Sequence, residues 1–228
     1  MTLNAAEEET IEAIKKWWDE NGKQLIVAIV VVVGSYGGWS LWQSNELAAS
    51  EIASDLYEEI LEVSLVEAGE SPTQEARNDI VRIANELMES HSDSVYAQYG
   101  AMFAAQQHVI DGDLNAAESA LNWVLENPKT GIFSGEDQGL MLAVTLRLAR
   151  IVLSKGEAER ALGIVNNVIP GPFEAGYSEL RGDIYFALGR NVDARESYLA
   201  AQQAGSASDI LQLKLSQLPN DNLSLIHI

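Results

Sequence analysis

Between Lys23 and Glu46 run 22 consecutive residues without a charged side chain, and the stretch Leu25 to Trp42 within them reads LIVAIVVVVGSYGGWSLW. At a rise of about 1.5 Å per residue, such a run is long enough to cross a hydrocarbon layer about 30 Å thick. A buried core helix seldom continues this far without a polar stripe. The sequence therefore predicts three parts: a short segment 1–23, one transmembrane helix over 24–45, and a domain 46–228 on the far side of the bilayer.

Trp17 and Trp18 on one flank and Trp39 and Trp42 on the other suit the aromatic belts of the two interfaces. Lys15, Lys16 and Lys23 precede the run, whereas the next basic residue after it is Arg77. The excess of cations on the first flank places the N-terminus in the cytoplasm and exports residues 46–228. A cleaved signal peptide would have an apolar region of about 7–15 residues followed by a small-x-small site. Here the run is longer and ends in Trp39 and Trp42, which favours a retained signal anchor. Gly34 and Gly38 form a small-xxx-small pair, broadened by Gly37, against which another helix backbone can pack closely. Ahead of the run, Ile11, Ile14 and Trp18 fall on one side of a helix, so this segment either lies on the membrane surface or extends the spanning helix.

From residue 46 onward there are 11 basic and 28 acidic residues, a net charge of -17. Such a surface repels phosphate backbones, and no nucleic-acid partner is expected. The chain has no cysteine, which removes thiol catalysis, thiolate metal sites and disulfides together. Its five prolines, at 72, 128, 170, 172 and 219, all sit at plausible helix junctions in a sequence otherwise rich in helix formers. Apolar residues recur with helical spacing, as in Ile52, Leu56, Ile60 and Val63, then Ile80, Ile83, Ala84 and Leu87. Linkers are expected at 69–73, 90–94, 127–135 and 170–176.

Three later segments share a pattern of helix, glycine turn and helix. Gly112-Asp113 leads to Ala117, Leu121 and Val124; Gly156-Glu157 leads to Ala161, Val165 and Val168. Gly189-Arg190 leads to Ala194, Tyr198 and Ala201, and its leading helix carries Gly182 and Tyr185. The turn glycines lie 44 and then 33 residues apart. These offsets resemble the tetratricopeptide repeat, with its period of about 34 residues and small residues where paired helices meet. The longer first interval points to an insertion around Lys129 to Asp137. The predicted fold is all-α: an N-terminal transmembrane helix followed by a tetratricopeptide-like solenoid of helical pairs, with a generic helical bundle as the rival. In a solenoid the concave face binds peptides or partner proteins.

No phosphate-binding loop, zinc-protease helix or nucleophile elbow occurs, and His91, His108 and His227 are far apart in sequence. Asp111, Asp113 and Asn115 resemble the start of a calcium loop, but its sixth position is Ala116 and its twelfth Asn122. Asp113 is better explained as a helix N-cap. No cofactor, metal or catalytic residue is expected, and a hydrolase would need a convergent titratable set that the sequence does not display.

Taken together, the segment IEAIKKWWDENGKQLIVAIVVVVGSYGGW, the string Val144 to Arg150, the LRGD string Leu180 to Asp183 and the step Asp193 to Arg195 resemble the YfgM family. Gln212 to Leu215 followed by Asn222 to Ser224 is similar to that family's ending, whereas the tail Leu225 to Ile228 departs from it. The resemblance implies an ancillary subunit of the bacterial SecYEG translocon: an inner-membrane protein with a cytoplasmic N-terminus and a periplasmic domain. It also implies association with a PpiD-like periplasmic chaperone and a part in passing translocating polypeptides to periplasmic chaperones. The alternative is a membrane-bound regulator of an envelope stress response acting through residues 1–23.

Overall fold

The computed structural model describes residues 5–65, 72–129 and 137–219. The linker at Gly69, most of the insertion between Lys129 and Asp137, and the ending from Asn222 lie outside the described residues. Among the described residues the protein is all-α, with nine α-helices, one 3₁₀ turn and no strand. It divides into two compact units, residues 1–52 and 53–228.

Helix α1 (Ala5–Ser64) supplies the first unit. It begins well before the apolar run, so the segment ahead of that run extends the helix. The apolar side chains Ile26, Val27 and Ile29 through Val33 are each at least 51% exposed. A helix apolar on every side and left uncovered by the other described residues is suited to a lipid environment. Within the described residues it is the one helix long and apolar enough to cross a membrane.

The second unit contains residues 53–64 of α1 and eight further helices: α2 (Gln74–Ser90), α3 (Val95–Ile110), α4 (Leu114–Glu126) and α5 (Gln138–Ser154), then α6 (Ala158–Asn166), α7 (Glu174–Ala187), α8 (Asn191–Gln203) and α9 (Asp209–Gln217). Side-chain oxygens begin many of these helices by accepting from otherwise orphaned amides. Thr73 Oγ1 accepts from Ala76 N at 3.2 Å, Asp113 Oδ1 from Ala116 N at 3.0 Å, Asp137 Oδ1 from Leu140 N at 3.0 Å and Ser208 Oγ from Leu211 N at 3.1 Å. Asp113 is thus the predicted cap. Asp113→Ala should cost about 1 kcal/mol, read as a fall of roughly 2–4 °C in a thermal melt followed by circular dichroism.

The same turn closes α3, α5, α7 and α8. Gly112, Gly156, Gly189 and Gly205 adopt φ of 79°, 82°, 73° and 102°, a left-handed conformation open to glycine at little cost. At the first turn Gly112 N donates to Val109 O and Asp113 N to His108 O; the other three repeat that pair of bonds in register. Identical stops give α3–α4, α5–α6 and α7–α8 the form of three hairpins.

One continuous core joins α3 to α7 and includes Leu121, Val124, Val152, Val165, Tyr177 and Ile184. A second gathers Ala53 and Ile60 of α1 with Ile80, Ile83 and Leu87 of α2 and Ala97 and Ala104 of α3. Ile52, the first of the apolar series that continues through Leu56 and Ile60, is 51% exposed, whereas its neighbour Ala53 is buried. The expected linker 170–176 is shorter than its sequence suggests, because a 3₁₀ turn (Gly171–Phe173) leads directly into α7 at Glu174. At the far end, Leu211 and Leu218 bury against Ala194, Tyr198 and Ala201.

Candidate functional site

In the first unit, Lys15, Lys16, Trp17, Trp18, Lys23, Trp39 and Trp42 all lie exposed on α1. Trp18 covers Gly22, where a Cβ would come within 3.1 Å of the indole. Apart from the adjoining backbone of α1 itself, no described atom stands within 4 Å of a Cβ built on Gly34, Gly37 or Gly38. These glycines therefore leave a smooth strip of backbone open on α1.

In the second unit the residues of the repeat pattern fall partly in the interior and partly in the turns. Ala117, Ala161, Ala194 and Ala201 are each 0% exposed, while Gly112, Gly156 and Gly189 form the turns just described. Gly182 of α7 lies flat against the ring of Tyr198 on α8, so close that a Cβ there would overlap Cδ1 and Cε1. The Tyr198 hydroxyl donates to Asp183 Oδ1 at 2.8 Å, and burial, followed by the nearby Asp183 carboxylate, pushes that phenol's pKa up. Tyr185 bridges two of the cores, with the Arg190 guanidinium 4.5 Å above its ring.

Two ionic junctions were not foreseen from sequence, since each joins residues distant along the chain. Glu118 of α4 is buried, and its carboxylate accepts from Lys155 Nζ at the end of α5 at 2.7 Å and from the Arg160 guanidinium of α6. Hydrogen bonds from Arg160 and then Lys155 hold the Glu118 pKa below the ordinary glutamate range, against the opposing effect of burial. Lys214 of α9 similarly reaches Glu179 Oε1 and Asp183 Oδ1 of α7, both at 2.8 Å.

A cavity of about 400 Å³ opens between α3, α4 and α5. Met102, Ala105 and Val109 line it from one stripe of α3; Arg147, Arg150 and Ile151 line it from one stripe of α5. Leu114 and Leu121 of α4, with Gln106 and Ser154, complete the lining. Sequence reasoning did not single out this constellation. The i, i+3 and i+4 spacing of the α5 stripe was legible, but its facing partner on α3 is set by the packing of the pairs.

An apolar helix of membrane-crossing length and a domain of glycine-stopped hairpins together define a tetratricopeptide-type repeat protein. The family model of the tetratricopeptide repeat-like domain matches residues 15–220, which include the apolar run. Proteins named "Ancillary SecYEG translocon subunit" align along nearly the whole chain. That of Haemophilus influenzae is 30% identical over 98% of this chain and 100% of its own length; that of Aggregatibacter actinomycetemcomitans is 29% identical over 96% and 100%. The protein of that name from Escherichia coli is 25% identical over 96% of this chain and 99% of its own. The chain belongs to the family formed by these proteins. No solved structure matches it significantly.

Proposed function

We propose that this chain is a non-enzymatic adaptor of the SecYEG translocon. Similarity to the named subunits carries the reading, because it runs through both the apolar helix and the repeat domain rather than through a repeat shared by many unrelated proteins. Residues 24–45 cross the bacterial inner membrane as a retained anchor, with residues 1–23 in the cytoplasm and residues 46–228 in the periplasm. The placement of Lys15, Lys16 and Lys23 supports that orientation. In the membrane, the open strip at Gly34, Gly37 and Gly38 docks on helices of the translocon or of an associated PpiD-like chaperone. Outside it, the repeat domain binds partner proteins and helps pass emerging polypeptides to periplasmic chaperones. The acidic surface keeps this domain clear of anionic lipid.

A photoreactive side chain at Gly38 should crosslink to a translocon or chaperone helix, and Gly34→Leu with Gly38→Leu should reduce co-isolation of SecYEG severalfold while leaving membrane insertion intact. Unchanged co-isolation would remove those glycines from the docking surface. Wild-type protein that never co-isolates with SecYEG would overturn the adaptor reading itself.

A further inference from the structure

We propose that the cavity between α3, α4 and α5 binds a polypeptide segment presenting acidic side chains beside bulky apolar ones, a reading that rests on the repeat domain's being a protein-binding module. The first support comes from the disposition of cations. Of the 11 basic residues from position 46 onward, eight pair with carboxylates, and Arg195 donates to the carbonyls of Leu218 and Pro219. Only Arg147 and Arg150 have no partner among the described residues, and both line this cavity. In a domain of net charge -17, two exposed arginines are thus left unmatched one helical turn apart, where they repel each other.

The lining supplies the second support. Among the described residues no acidic side chain lines the cavity, so the nearest charges met by an occupant are the two guanidiniums. Each has planar donor geometry suited to a carboxylate. The remaining wall is largely apolar, with Met102 able to adapt to irregular side chains, and the volume of about 400 Å³ lies within the range of ligand-binding clefts. Two cations one turn apart match two side-chain carboxylates better than the single carboxylate of a chain terminus. Charge complementarity at short range therefore selects an acidic–apolar segment, while the domain's overall charge disfavours an anionic membrane surface.

Binding should be measured on the full-length protein in detergent, using a short, amidated, fluorescein-labelled amphipathic peptide with leucines on one face and glutamates one turn apart beside them. The Glu peptide should bind, and replacing its glutamates by glutamine should weaken binding by about tenfold or more. R147Q with R150Q should cause a similar loss with the Glu peptide and little further loss with the Gln peptide, because both changes remove the same contacts. Equal binding of the two peptides, no binding of either, or an undiminished double variant would overturn the proposal. Full recovery by a Gln peptide with a free C-terminal carboxylate would overturn the side-chain source, and displacement by phosphatidylglycerol added as mixed micelles, with no displacement by the unlabelled Glu peptide, would overturn it in favour of lipid. Co-isolation of wild-type chain with SecYEG separates the two readings: co-isolation without Glu selectivity removes the cavity proposal only, whereas Glu selectivity without co-isolation supports the cavity and removes the adaptor role.

Discussion

Gly182→Ala should destabilise the repeat domain by about 3 kcal/mol, the upper part of the usual range for overpacking, and lower its melting temperature by roughly 6–12 °C. The added methyl would overlap Tyr198 Cδ1 and Cε1, well inside van der Waals contact. Tyr198 has little freedom to retreat: it is 2% exposed, and its hydroxyl is held by Asp183. Asp183 is in turn held by Lys214 at 2.8 Å. Relief therefore requires α7 and α8 to separate. Gly163→Ala provides a control of opposite sign, since Gly163 lies within α6 with nothing among the described residues within 4 Å of an added methyl, and alanine is the better helix former by up to about 1 kcal/mol. Thermal melts of both variants by circular dichroism decide the point; equal small shifts would show that α7 and α8 are not closely apposed.

Glu118→Gln should cost about 2 kcal/mol at neutral pH. Removing one member of a fully buried ion pair costs roughly 3–5 kcal/mol, but Arg160 is 45% exposed and water recovers part of its hydration. Lys155, at 20% exposure, recovers less. Since the folded protein lowers the Glu118 pKa from an ordinary value of 4.5, the stabilisation is fully present above that pH and is lost as pH falls through the lowered folded-state value. The difference in denaturant midpoint between wild type and Glu118→Gln should therefore be constant near neutrality and narrow below about pH 4.5. A difference independent of pH would mean that the carboxylate's charge contributes nothing at this junction.

The parts legible in the sequence are those set by local chemistry. An uncharged run defines the apolar helix by its length, and the glycines at 112, 156 and 189 mark turns because only a left-handed residue closes a helix in that way. Ala117, Ala161 and Ala194 follow each turn by the same offset because the returning helix must pass close to its partner. Beyond these offsets, sequence patterns give a helix face without saying what will be placed opposite. Glu118 reads as one more acidic residue on a solvated helix until α5 and α6 bring Lys155 and Arg160 to it. Arg147 and Arg150 likewise acquire meaning only through Met102 and Val109 on α3. At the second core the inward position falls to Ala53, about 100° round the helix from Ile52, a rotation set by where α2 and α3 pack.

Helix α9 covers the last described hairpin. Its Leu211 and Leu218 cover the apolar row Ala194, Tyr198 and Ala201, and Lys214 ties it down through Glu179 and Asp183. Every preceding hairpin offers a surface of this kind, and the next hairpin covers it. Without α9 the last surface would be left as an exposed apolar patch, the kind of surface that draws other proteins. The short ninth helix thus gives the last described hairpin a partly charged outer surface in place of an apolar one.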